Sequence, residues 1–209
     1  MLVAIIDTGI QPNIFPTGPI IHDLEVTDIG RIRERRTNIH SFHGAYVAAV
    51  LEKYAKGTPI CSIKICDDET QTAPCSSLCT ALRWCFNSDI PIINISMGSV
   101  RTKDFWRIKS LINPLVYHKQ FVVAAYNNNG MDTMPAGHIN VIGVKTKPDL
   151  LNDEYIVDYD SKKHDFIASS HHTINFLWGD SVSTSTTTSL AAPTITAAIV
   201  NGKLTIDWM

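Results

Sequence analysis

The sequence predicts an α/β layered fold in which helices cover both faces of a mainly parallel sheet, and three observations carry that prediction. Short β-branched runs alternate with stretches that place apolar residues at helical spacing, the pattern of strand and helix in turn. The strand-like runs are apolar throughout, which suits strands covered on both faces. The chain has 209 residues, 44% apolar and 18% charged, enough for one core of about 200 residues and short for two full domains. Residues 1–209 are therefore read as a single domain.

In chain order, residues 2–6 (Leu-Val-Ala-Ile-Ile) form the first strand, and residues 44–54 the first helix, with Val47, Ala48, Val50 and Leu51 on one side. A second strand at 60–65 leads to a helix at 76–86, with Leu78, Ala81, Leu82 and Cys85 at helical spacing and Ser76 or Ser77 as its N-cap. Strands at 90–95, 121–125 and 141–144 follow. The last helix, 189–200, carries Ala191, Ala192, Ile195, Ala198 and Ile199 behind a hydroxyl-rich tract, with Pro193 placed in its first turn. Residues 11–36 mix Pro, Gly and charge, and residues 147–165 are rich in acid and lysine; both are expected to be irregular.

Eighteen basic against twenty acidic residues leave a formal charge of -2, which removes the broad electrostatic reason to expect a nucleic-acid or anionic-membrane partner. Arg31, Arg33, Arg35 and Arg36, interrupted by Glu34, read as a solvated face. No apolar run approaches the ~20 residues of a membrane span, and Met1 leads directly into Leu-Val-Ala-Ile-Ile without a basic leader region; a cytoplasmic protein is expected. Five cysteines packed between Cys61 and Cys85 are an odd number without a Cys-x2-Cys knuckle. They are read as buried reduced thiols rather than a disulfide framework, a zinc site or a redox gate. No metal or cofactor is expected.

Open α/β sheets place their sites just past the carboxyl ends of the strands. Asp7-Thr8-Gly9 follows the first strand, His43-Gly44 opens the first helix, Asn127-Asn128-Asn129-Gly130 follows the strand at 121–125, and Ser189 opens the last helix. These supply an acid, an imidazole, an amide donor and a hydroxyl, the set that acyl transfer from a serine requires. Ser189 would attack the carbonyl, His43 take and return its proton, Asp7 hold the imidazole tautomer, and Asn128 donate to the developing oxyanion together with a helix N–H beside Ser189. Each residue alone has a plainer reading: His43 as a structural helix-start histidine, Ser189 as an N-cap, Asp-Thr-Gly as a turn. Only the ordered set overturns those.

The strings that carry the set are Val3-Ala-Ile-Ile-Asp-Thr-Gly9, His43-Gly-Ala-Tyr-Val-Ala49, Ile92-Ile-Asn-Ile-Ser-Met-Gly98, Val122-Val-Ala-Ala-Tyr-Asn-Asn128 and Thr188-Ser-Leu-Ala-Ala-Pro193. In this order the sequence resembles the subtilisin-like serine proteases across nearly its whole length. The resemblance implies a three-layer, doubly wound, mainly parallel sheet of seven strands and an endopeptidase acting on a peptide or protein. It assigns the triad to Asp7, His43 and Ser189 and the oxyanion donor to Asn128. Ser96, Met97 and Gly98 would be a strand edge that pairs with the substrate backbone, and Ala124, Ala125 and Tyr126 would wall the pocket for the side chain before the cut. An Asp-Thr-Gly also marks pepsin-like aspartic proteases, but those need two such carboxylates and this chain has one copy.

The departures are informative. The family usually has Gly where this chain has Thr187 and Asn127, and a small residue where it has Tyr126. Glycine reaches φ > 0 and permits close backbone approach, so a narrow, selective site is expected, with Asn127 and Thr187 bordering it. The calcium loops and prosegment common in relatives are not visible: six residues precede Asp7, and Asp67-Asp68-Glu69 reads as a solvated turn. Processing of a particular peptide or protein, such as maturation of a ribosomally made precursor, is the leading reading. A weak or inactive pseudoprotease that binds peptides is the alternative. His171-His172 reads as an exposed loop pair, and His22, His40, His118, His138 and His164 show no ligand spacing; Trp84, Trp106 and Trp178 are read as packing residues.

Overall fold

The computed structural model describes residues 1–67, 70, 72–147, 149–150, 154–158, 163 and 165–204. Of the positions named above, Asp68, Glu69 and His164 lie outside the described residues.

One sheet organises the chain. Its strands run in the order β3 (Ile32–Glu34), β2 (Ile20–Val26), β4 (Ile60–Lys64), β1 (Val3–Asp7), β5 (Ile92–Ile95), β6 (Phe121–Ala125), β7 (Ile142–Thr146), β9 (Phe166–Ala168) and β8 (Tyr155–Val157). The seven from β2 to β9 pair in parallel, and the short antiparallel β3 and β8 close the two edges. Nine strands thus replace the expected seven, the difference being these edges. Helices α1 (His43–Tyr54) and α4 (Thr188–Val200) cover one face, and α2 (Cys75–Asn87) and α3 (Thr102–Tyr117) cover the other.

Strand parity decides what each face receives. Val3 and Ile5 pack with Val47 and Leu190 under α1 and α4, while Ala4 and Ile6 pack with Leu78 and Ile108 under α2 and α3. Asp7 shares the parity of Val3 and Ile5, so its carboxylate emerges on the side where α1 and α4 begin. Helix α4 is buried from Thr188 to Ile199, as a helix apolar on all sides must be. The hairpin of β10 (Thr173–Asn175) and β11 (Ser181–Ser183) adds Ile174 to a third cluster, with Phe15, Ala45 and Val50, on the outer side of α1.

Several local expectations are corrected. The segment 11–36 is not irregular: it holds β2 and β3, hidden in the sequence because His22, Asp23 and Glu25 interrupt the apolar residues of β2. Nor are Arg33 and Arg35 a plain solvated face. Arg33 pairs with Glu25 at 2.8 Å and Arg35 with Asp23 at 2.6 Å across the β2–β3 ladder. Within 147–165, β8 is ordered against β9. Helix α3 went unassigned although Phe105, Ile108, Leu111, Ile112 and Leu115 have helical spacing; its exposed Trp106 and Tyr117 blur the stripe. Helix α2 starts at Cys75 from an extended Pro74, so neither Ser76 nor Ser77 is its cap. Pro193 is the sixth residue of α4 rather than part of its first turn.

Candidate active site

Asp7 ends β1, and its side chain is wholly buried. The Thr8 N–H donates to its Oδ1 at 2.6 Å, and the Thr8 hydroxyl accepts the Gly44 N–H at 3.0 Å. Phe42, the N-cap of α1, caps nothing with its side chain; Thr8 and Ser41, which accepts the His43 N–H at 3.3 Å, satisfy the orphan donors of the first turn instead. The close approach that brings α1 to β1 needs Gly44, because a Cβ there would stand 2.2 Å from the Gly9 carbonyl oxygen.

This seating puts His43 Nδ1 at 2.8 Å and 3.0 Å from the two Asp7 oxygens, and His43 Nε2 at 2.9 Å from Ser189 Oγ. Burial pushes the Asp7 carboxyl up, but the facing His43, the Thr8 N–H and the Ser96 hydroxyl outweigh it, and the group ends below its ordinary 3.8. His43 is the mirror case. Burial lowers it, the Asp7 charge and hydrogen bond raise it, and the net shift is upward from 6.5. Asp7 is therefore ionised and fixes the tautomer: Nδ1–H donates to Asp7, and neutral Nε2 accepts the Ser189 hydroxyl proton.

Ser189 is the second residue of α4 and is 8% exposed. Asn128 lies exposed in the turn after β6, with its side chain oriented by Thr188. The Thr188 N–H donates to Asn128 Oδ1 at 2.9 Å, which makes that atom the acceptor and turns Nδ2 the other way. The single proton of the Thr188 hydroxyl goes to the Tyr126 carbonyl oxygen at 2.5 Å, with Asn128 Oδ1 2.9 Å from the same hydroxyl. Asn128 is thereby held against Thr188, the residue before the nucleophile, and the Ser189 N–H, in the first turn of α4, has no acceptor within the helix.

The departures from glycine leave the backbone unstrained. Thr187 is extended, at φ -135 and ψ 145, and Asn127 does not have a positive φ, so neither side chain forces the backbone into a conformation that only glycine favours. Asn127 instead builds the turn: its N–H donates to Thr133 Oγ1 at 3.1 Å and its Oδ1 accepts the Asn129 N–H at 2.8 Å. Thr187 Oγ1 lies 2.9 Å from Ser189 Oγ. Tyr126 does not narrow the cleft with its ring. Its hydroxyl donates to Asp165 at 2.8 Å, and the ring lies under the Lys145 and Lys163 ammoniums.

Ser96 follows β5 and supports Asp7. Met97 and Gly98 make no backbone hydrogen bond among the described residues, whereas Ser99 pairs with Met134 at 2.8 and 2.9 Å. Beside this segment lies a cavity of about 600 Å³ lined by residues that include Cys75, Leu78, Met97, Arg101 and Asp104. Ala124 and Ala125 are buried, at 0% and 2% exposure, and offer no open wall.

Thr8, Thr188 and His172 went unrecognised as site residues. The first two are adjacent to triad members, and a hydroxyl next to a catalytic residue is the only signal the sequence offered. His172 is not an exposed loop residue. It is 1% exposed, accepts the Tyr54 hydroxyl at Nδ1 (2.9 Å) and donates from Nε2 to the Leu190 carbonyl (3.0 Å), tying α1 to α4 behind the nucleophile. Burial pushes it down to about 4. Four of the five cysteines are buried and none is in a disulfide; burial pushes the Cys61 and Cys75 thiols up to about 12, so they are thiols, not thiolates. Among the described residues no cluster of three His, Cys, Asp or Glu side chains is placed to hold a metal, and no helix is long and apolar enough to cross a membrane.

No protein-family model matches the sequence, and no curated protein matches it. Solved structures do. The S41 psychrophilic protease superposes with a TM-score of 0.74 at 17% identity, over 95% of this chain and 75% of that one. Sphericase gives 0.73 at 17% identity, over 95% and 75%, and the prenylagaramide maturation protease PagA 0.71 at 19%, over 96% and 74%. The chain has the subtilisin-like protease fold, with Asp7, His43 and Ser189 assembled as a triad where its parallel strands end.

Proposed function

We propose that the chain is a serine endopeptidase that cuts a particular peptide or protein. The observation that carries this reading is the unbroken relay from Asp7 through His43 to Ser189. In the acylation step the Ser189 proton passes to His43 Nε2, Oγ bonds to the carbonyl carbon, and the imidazolium, stabilised by Asp7, returns the proton to the leaving amine. Asn128 Nδ2 and the Ser189 N–H take the charge that develops on the carbonyl oxygen. Water then repeats the sequence on the acyl-enzyme. A peptide-binding pseudoprotease would need neither the ionised Asp7 nor an oriented Asn128.

The unpaired backbone of Met97 and Gly98 supports β-augmentation by an extended peptide, and the neighbouring cavity, apolar at Leu78 and Met97 with Arg101 and Asp104 at hand, supports selection of one of its side chains. Such selectivity favours processing over digestion. PagA is named as a prenylagaramide maturation protease, which supports maturation of a precursor as the kind of processing. Five cysteines without a disulfide among them support action in a reducing compartment such as the cytoplasm.

A fluorophosphonate probe tests the reading directly. Adduct formation at Ser189, mapped by mass spectrometry, and loss of both labelling and cleavage in Ser189→Ala are expected. Undiminished cleavage by Ser189→Ala would sink the assignment.

A further inference from the structure

The contact between Thr187 and the nucleophile has a direction. In the neutral form of His43 that acts as base, the Nδ1 proton is held by Asp7 and Nε2 can only accept, so the single proton of Ser189 is committed there. The 2.9 Å contact between Thr187 Oγ1 and Ser189 Oγ is then a hydrogen bond that Thr187 donates and Ser189 accepts. The extended backbone at residue 187 suits a β-branched side chain, so the donor is held without strain.

We propose that the Thr187 hydroxyl acts directly on the reacting oxygen of Ser189 and sets the balance between the two halves of the reaction, favouring release of the acyl group over its capture. This rests on the peptidase reading above. In acylation, Oγ gives an electron pair to the carbonyl carbon while the C–N bond breaks and the proton travels through His43 to the amine. A hydrogen bond donated to Oγ holds back that pair. In deacylation, water oxygen bonds to the same carbon, the C–Oγ bond breaks with its electrons going to Oγ, and the water proton reaches Oγ through His43. The same hydrogen bond stabilises the oxygen as it gains charge. It also polarises the Ser189 O–H toward His43 Nε2 and so favours the neutral imidazole. Among the described residues Asp7 is the charged group that acts on His43; the Ser189 hydroxyl faces it from α4.

Thr187→Val removes the donor and keeps the shape, while Thr187→Ser keeps the donor and removes the methyl group. Stopped-flow hydrolysis of p-nitrophenyl acetate separates acylation, seen as the burst, from deacylation, seen as the steady state. For Thr187→Val the ratio of deacylation to acylation rate is expected to fall about 2- to 10-fold, the weight of one neutral hydrogen bond, with Thr187→Ser returning it toward the wild-type ratio. NMR titration of the His43 ring, which needs no turnover, is expected to show its pKa higher in Thr187→Val and restored in Thr187→Ser. An unchanged His43 titration in Thr187→Val, or a Thr187→Ser variant that behaves as Thr187→Val does, overturns the proposal. Absence of ester hydrolysis and of probe labelling in the wild type, with the His43 shift still present, overturns the peptidase reading and leaves the hydrogen bond standing.

Discussion

Gly44→Ala is the substitution for which local propensity and tertiary structure predict opposite signs. In an exposed helix interior, alanine for glycine stabilises by about 1 kcal/mol. At Gly44 the added Cβ would meet the Gly9 carbonyl oxygen at 2.2 Å and its carbon at 3.0 Å, more than 1 Å inside the roughly 3.5 Å of ordinary contact. Both obstacles are backbone, so α1 must move away from the β1 loop. Overpacking against backbone this close costs the upper part of the usual range, about 2–3 kcal/mol, and less the propensity gain the net expectation is a loss of about 1–2 kcal/mol. For a chain of 209 residues that is a fall in Tm of about 2–8 °C. The same movement separates His43 from Asp7, now 2.8 Å apart, and a displacement of about 1 Å in a catalytic group costs on the order of 10²-fold in rate. Thermal unfolding by circular dichroism, with the rate of fluorophosphonate labelling, measures both. A variant as stable as the wild type, or more so, would refute the argument that Gly44 is there for backbone contact.

Three further outcomes follow from the site and its supports. Asn128→Ala should lower peptidase turnover by about 10²–10³-fold and cost about 1–2 kcal/mol of stability, because its Oδ1 accepts the N–H of the buried Thr188; a loss of turnover under tenfold would remove it from the oxyanion site. His172 is neutral in the folded chain, its pKa pushed below the ordinary 6.5 to about 4 by burial. The unfolded chain therefore takes up the proton first, and stability falls as pH drops from about 6.5 toward 4, by about 3 kcal/mol at the lower end. Urea unfolding of His172→Gln across that window should show a shallower pH slope, and identical slopes would count against this role. Lys163 donates to the carbonyls of Ala136, His138 and Val141 and lies 2.9 Å from Asp165, itself 1% exposed. Lys163→Met should cost about 3 kcal/mol by removing the cation that faces that buried carboxylate, the Tyr126 hydroxyl still donating to it, and adding Asp165→Asn should recover part of the loss; equal stability of the single and double variants would contradict the argument.

The triad was legible because its members sit at points the sequence marks: a strand end for Asp7, helix starts for His43 and Ser189, and a polar turn after a wholly apolar strand for Asn128. The packing that brings them together leaves its own trace in small residues, Gly44 against Gly9 and the alanines of α4 beneath the sheet. What was not legible depends on partners far along the chain. Strand β2 carries Asp23 and Glu25 because both have arginine partners across the β2–β3 ladder, and no local pattern announces that. The burial of His172 is decided by Tyr54 and Leu190, one 118 residues away and the other 18. Tyr126 turns from the cleft because Asp165, 39 residues on, accepts its hydroxyl.

The glycine departures show where sequence reasoning took the wrong physical route. A missing glycine suggests backbone strain or a blocked cleft, yet Thr187 is in an ordinary extended conformation. Its consequence is chemical: a hydroxyl has been placed where glycine offers no side chain. Successive residues then act on the site from different sides. Thr187 reaches Ser189 Oγ, Thr188 holds Asn128 and the Tyr126 carbonyl, and Ser189 meets His43. The Thr187 hydroxyl faces the nucleophile and the Tyr126 hydroxyl faces Asp165, so each departure has a polar partner of its own. The hydroxyl of Thr187 bears on how fast a bound chain is captured and released.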